Sequence, residues 1–199
     1  MTPIEELETR IRAAIAGSDV PEDPTHAEDT LAWLLHIDPT AGDALQLAAL
    51  GHDIDRAVPE KTRRADFEDY DAFKAAHAKR SAGLLRGMFV EAGAAPGLVE
   101  HVCELVERHE VGGTIESDLL QDADSLSFFT NNLPAYLSRE GEAEALSRCT
   151  WGLRRLSPRG RALLRARDFD DPVVAAILRK AWAAVGQVRG EAAPSRLAD

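Results

Sequence analysis

The sequence predicts an all-α fold. Apolar residues recur at helical spacing in one segment after another, and Gly and Pro fall between those segments. No stretch alternates as a half-buried strand would. The bulk numbers fit a soluble globular chain of 199 residues, with 45% apolar and 29% charged residues.

Taken in order, Ile4, Leu7, Ile11 and Ile15 predict a first helix over residues 3–16, ending at Gly17. The stretch SDVPEDPT reads as a loop, with Asp23 as N-cap and Pro24 at the first helical position of the next helix. That helix runs through HAEDTLAWLLHI to Asp38-Pro39, with His26 in phase with Thr30, Trp33 and Ile37. His36, near its end, reads as a structural residue beside the last carbonyls. The third helix is DALQLAALGHD, and the charged, Pro-containing IDRAVPEKTRRADFEDYD reads as a long loop.

A helix from about Asp71 to Ala92 places His77 on a stripe with Phe73, Leu84 and Met88. In APGLVEHVCELVERHE, Leu98, Val102, Leu105 and His109 share one line, and His101 falls about 60° off it. Gly112-Gly113 ends that helix, Ser117 caps the next, and Pro134 interrupts or kinks it. Two further helices are expected over about 142–156 and 172–189. The expected organisation is a helical domain over 1–138, a helical extension packed on it over 139–190, and a flexible tail over 191–199.

The net charge of −11 is unevenly placed, because residues 1–138 carry 11 Lys/Arg against 26 Asp/Glu. Residues 139–189 carry 11 against 6. A duplex nucleic acid is therefore not an expected partner of the first block, and the Arg-rich helices read as a solvated face. No run is long enough to cross a bilayer, and MTPIEELETR is acidic where a signal peptide would be basic and then apolar. A cytoplasmic location is expected, a homodimer being an allowed assembly. Cys103 and Cys149 are too few for a disulfide framework and read as packing residues.

The chemistry gathers on His52-Asp53, which follow the apolar run LQLAALG directly. A carboxylate beside an imidazole at the end of a buried helix is costly unless compensated, and a metal ion compensates both at once. His26, His77, His109 and either Asp122 or Asp124 lie at comparable places on separate helices, and one shared metal centre would satisfy all of them.

This H…HD…H…H…D order resembles the HD-domain superfamily of metal-dependent phosphohydrolases over roughly residues 20–135. The spacing of 26 between His26 and His52, and the apolar run before GHD, fit that pattern. The resemblance implies a helical bundle in which His26, His52, Asp53 and a late Asp hold the first metal. The A-D-S-L stretch indicates Asp124, whereas helical phase indicates Asp122, which would otherwise support it from behind. His77 and His109 resemble the second-metal ligands of the two-metal subset. HDIDR places Arg56 near that subset's basic residue, and RHEVGG resembles its HHE…G segment, with Arg108 for the first His. The signature GYP of the c-di-GMP phosphodiesterases and the HDxxED of the alarmone hydrolases are absent.

The implied chemistry is hydrolysis of a phosphate ester or anhydride, such as a nucleotide or another small phosphorylated metabolite. One or two ions of Mn, Fe, Co, Ni or Zn suit the mixed N/O ligand set, and a dedicated Ca site does not. Asp53 would bridge the ions, while Arg56, Lys79, Arg80 and Arg108 are candidates for contact with the phosphate. Two alternatives keep the same fold: a mixed-valent diiron oxygenase and a non-catalytic ligand-binding module.

Overall fold

The computed structural model of the chain describes residues 2–190, with side chains to residue 186. Among the described residues there are ten α-helices, three short helical turns and no strand. The expected tail over 191–199 lies outside the described residues. The chain divides into two compact units, Met1–Asn131 and the part from Asn132 onward.

The first unit is built around α3 (Asp43–Gly51), whose neighbours are α1 (Pro3–Ile15), α2 (Asp23–Ile37), α5 (Pro96–Arg108) and α6 (Ile115–Ser127). A helix surrounded in this way must be apolar over most of its surface. Ala44, Leu45, Leu47, Ala48, Ala49 and Leu50 are all buried. At its end Gly51 allows α4 (Tyr70–Glu91) to come close, since a Cβ there would sit 2.9 Å from Leu85 Cδ2. His52 and Asp53 therefore leave α3 deep inside the unit.

The starts of these helices are chemically determined. Thr2 and Glu5 form a reciprocal capping box on α1, and Asp69 accepts from Ala72 N at the start of α4. Two starts differ from expectation. Thr114, rather than Ser117, caps α6, and Ser117 is the third-residue partner of that box. Asp23 is the first residue of α2 rather than its cap, because its carboxylate is engaged by Ser18 and Arg56.

The segment expected as a loop after Asp53 contains two 3-10 turns, Ile54–Ala57 and Arg64–Asp66. Phe67 and Tyr70 pack on Phe73, with ring centroids 6.0 and 5.9 Å away, and this fastens the segment onto α4. The buried face of α4 is His77, Ala78, Ser81, Ala82, Leu85 and Phe89. Leu84 and Met88 are only half-buried, so His77 points inward with a different set of neighbours from the stripe expected.

The second unit follows a π-helical turn, Phe128–Asn132. It contains α7 (Leu133–Glu140), α8 (Glu142–Arg155), α9 (Pro158–Arg165) and α10 (Pro172–Gly190). The short α7 and α9 were not expected. Ser157 caps α9 by accepting from Gly160 N, and Gly141 joins α7 to α8 with φ of 84°. Leu133, Ala145, Cys149, Leu153, Leu164, Ile177 and Ala181 fill its interior. No helix among the described residues is long and apolar enough to cross a membrane.

Candidate metal centre

The centre is assembled in the first unit from the ends and inner faces of α2 to α6. His26 comes from the first turn of α2, His52 caps the C-terminus of α3, and Asp53 follows it. His77 is about two turns into α4, His109 caps the C-terminus of α5, and Asp124 lies on α6. All six are buried or nearly so. Imidazole rings succeed one another at 5.3 Å (His26 to His52), 5.1 Å (His52 to His109) and 6.1 Å (His109 to His77).

All four histidines have Nδ1 beside an acceptor, which for His77 is Asp55 Oδ2. His52 Nδ1 donates to Ala49 O at 2.9 Å, and His109 Nδ1 donates to Val106 O at 2.7 Å. His26 Nδ1 lies 2.8 Å from Ser127 Oγ, whose own hydrogen is directed to the His26 carbonyl, so the ring donates to the hydroxyl. In neutral rings these bonds leave the Nε2 lone pairs directed at the centre, which is the tautomer a metal requires. Helix ends make this natural, because free carbonyls lie within reach of a capping histidine.

The Nε2 atoms face carboxylates. His26 Nε2 is 3.3 Å from Asp124 Oδ1 and 3.8 Å from Asp53 Oδ2. His52 Nε2 is 3.6 Å from Asp124 Oδ1 and 3.9 Å from Asp53 Oδ1. The last two contacts are too long for hydrogen bonds, and His52 Nε2 is buried with no hydrogen-bond partner. His77 lies between two carboxylates, with Nε2 at 2.7 Å from Asp53 Oδ1 and Nδ1 at 3.1 Å from Asp55 Oδ2.

The electrostatics follow from this crowding. Burial pushes the His52 pKa down, but the charges of Asp53 and Asp124 outweigh it and raise the value to about 9. His77 is also raised, its hydrogen bonds to Asp53 and Asp55 outweighing burial. Burial holds His109 below its ordinary value. Burial alone would raise Asp53, yet His52, Arg56 and His77 hold it well below the usual carboxylate range.

Three overlapping trios could each hold an ion: His26, His52 and Asp124; Asp53, His77 and His109; and His109, Glu110 and Asp124. Within each trio the ligand atoms lie within 4.8 Å of one another. The buried, partnerless His52 Nε2, the fixed tautomers and the N/O donor set all fit a divalent transition metal. Asp122 is buried on the same helix but belongs to none of the three trios. Asp124, indicated by the A-D-S-L stretch, belongs to two of them.

The basic residues fare unevenly. Arg56 reaches the centre, donating from Nε to Asp23 Oδ2 at 3.1 Å and from Nη1 to Asp53 Oδ2 at 3.3 Å. Arg80 is directed at Asp55, 2.8 Å from Nε to Oδ1, and Arg108 is exposed beside Glu104. Lys79 is exposed; two positions after His77, it points about 200° around α4 and so away from the centre. The residues that the sequence reading passed over are Asp23, Asp55, Lys74, Glu110 and Ser127.

An all-α protein with a buried histidine–aspartate centre able to hold metal is thus the class that fold and site define. Within that class, residues 8–177 match the family described as a domain of unknown function, DUF4202, and the chain belongs to it. No curated protein and no solved structure matches the chain.

Proposed function

We propose that the chain is a metal-dependent phosphohydrolase of the HD-domain superfamily, acting on a small phosphate ester or anhydride. The observation that carries this reading is the convergence of His26, His52, Asp53, His77, His109 and Asp124, with His52 Nε2 buried and partnerless among them. A six-donor N/O set of this kind suits two divalent ions sharing one site. Such ions would supply a water of lowered pKa and neutralise phosphoryl oxygens.

The chain's own residues have separable tasks. His26, His52, Asp124 and Asp53 would hold one ion, and His77, His109 and Asp53 the other. Asp55 fixes the His77 ring through Nδ1, and Ser127 does the same for His26. Arg56 keeps Asp53 ionised, and two of its five N–H donors lie outside the bonds to Asp23 and Asp53. With its side chain 35% exposed, it is the basic residue best placed to receive a phosphate oxygen.

The test is to strip the purified protein with chelator, reload it with Mn, Fe, Co, Ni or Zn, and screen nucleotides and sugar phosphates for phosphate release. Metal-dependent release that is lost in Asp53→Ala is the expected result. Absence of release with every metal, together with oxygen uptake by the iron-loaded protein, would instead support the diiron oxygenase. Metal binding without either activity would support a ligand-binding module.

A further inference from the structure

Around the centre, three buried carboxylates outside the six donors are each matched by a basic residue. Asp23 has Arg56, Asp55 has Arg80, and Glu110 has Lys74. The first two cations are long guanidinium groups arriving from the surface, 35% and 41% exposed. Lys74 differs. Its side chain is only 13% exposed and its ammonium is bound to Glu110 Oε1, in a side chain 3% exposed.

That same oxygen lies 3.1 Å from His109 Nε2. Glu110 belongs to the third trio, with His109 and Asp124. Lys74 is three residues before His77 on α4, which places both on one side of the helix. An ammonium is a compact point charge with three donors, closer to a metal ion in size and charge density than a guanidinium.

We propose that Lys74 is a built-in cation of the centre: its ammonium occupies the position at Glu110 where the two carboxylates of the third trio, Glu110 and Asp124, would otherwise hold a further metal ion, His109 Nε2 being committed to the second. This rests on the metal reading above and deepens it. The centre then takes two exchangeable ions and one fixed positive charge that no chelator removes. A merely structural Lys74–Glu110 pair would contribute to stability and leave metal stoichiometry unchanged.

The experiment is metal analysis of the full chain after stripping and reloading with Mn(II), with circular dichroism to check the fold. The expected result is about two ions in the wild type and about three in Lys74→Met, where Glu110 is released to act as a ligand. Lys74→Arg, which keeps the charge, and the double variant Lys74→Met/Glu110→Gln should both return to two. If Lys74→Met does not fold, Lys74→Gln gives the same readout. A folded Lys74→Met that still holds two ions overturns this inference alone. Glu110→Gln losing an ion also overturns it, since Glu110 would then be a ligand beside Lys74. A wild type holding no ion overturns the metal reading itself.

Discussion

The two units of this chain solve the same packing problem with opposite interiors. From Asn132 onward, Asn132 is the one buried polar residue among those described, and the interior is otherwise aliphatic. Arginines stay outside and cover aromatic rings: Arg148 and Arg155 each stack on Trp151 at 4.4 Å, and Arg165 stacks on Trp182 at 4.3 Å. Its buried thiol, Cys149, is pushed up by burial to about 12 and stays neutral. The first unit instead buries four histidines together with Asp23, Asp55, Glu110, Asp122 and Asp124. Apolar packing needs no such groups, and each costs desolvation. What the contrast teaches is that polarity in the first interior is the signature of a site, whereas the second interior has the composition that stability alone would select.

The sharpest way to break this contrast is to remove one donor at a time. His77→Ala and His109→Ala should each lower the metal content from about two ions to about one, leaving His26, His52 and Asp124 loaded. Unchanged stoichiometry in both, measured by elemental analysis, would make these histidines core residues like the leucines of the second unit.

A smaller effect is expected one bond further out. Ser127→Ala removes the acceptor that orients His26 and should weaken metal affinity by about 10- to 100-fold. Isothermal titration reads this directly, and an unaltered affinity would show that the hydroxyl does not hold the ring.

The pH response should also divide the units. The folded-state pKa of His52 lies above its ordinary 6.5, at about 9, so below about pH 9 the metal-free protein carries a proton that an ion must displace. Metal binding should therefore release protons, and the His52 contribution alone should strengthen affinity about tenfold per pH unit as pH rises towards 9. In the metal-free protein the stabilisation from charged His52 is fully present below pH 6.5 and is lost as pH rises through about 9. Titrations in buffers of different ionisation enthalpy measure the released protons, and a count of zero would contradict the assignment.

The smallest effect belongs to the second unit. Arg148→Ala removes one of the two guanidinium groups stacked on Trp151 and should cost about 0.5–1 kcal/mol of stability. Metal content should remain unaltered. Thermal unfolding monitored beside metal analysis separates the two readouts.

Much of the first unit was legible because its chemistry interrupts apolar patterns. His52-Asp53 stand out as a charged pair ending a largely apolar helix, and His109 falls on the line of Val102 and Leu105. His77 was placed inward, but the stripe drawn through Leu84 and Met88 was not the buried one. Steps of four residues drift around a helix of 3.6 residues per turn, and the buried face follows Ala78, Ala82, Leu85 and Phe89. On α6 Leu120 and every residue from Asp122 to Ser127 are buried, so phase could not separate Asp122 from Asp124.

The supporting shell was harder to read. Asp55 and Lys74 occur in charged stretches that resemble solvent-facing loop and helix, and only the fold brings them against His77 and Glu110. Asp23 looked like a helix cap because of its place before Pro24, a local rule overridden by the long-range partner Arg56. The short helices α7 and α9 span 8 residues each, too few for periodicity to register.

Metal content of the wild type against Asp53→Ala tests the central claim most directly. Asp53 meets His77 at 2.7 Å and lies 3.8 and 3.9 Å from His26 and His52, so its removal touches both proposed ion positions. The expected result is about two ions per chain in the reloaded wild type and a near-complete loss in a variant that keeps its helical circular dichroism. Full metal content in Asp53→Ala, or none in the wild type under metal-replete conditions, would contradict it.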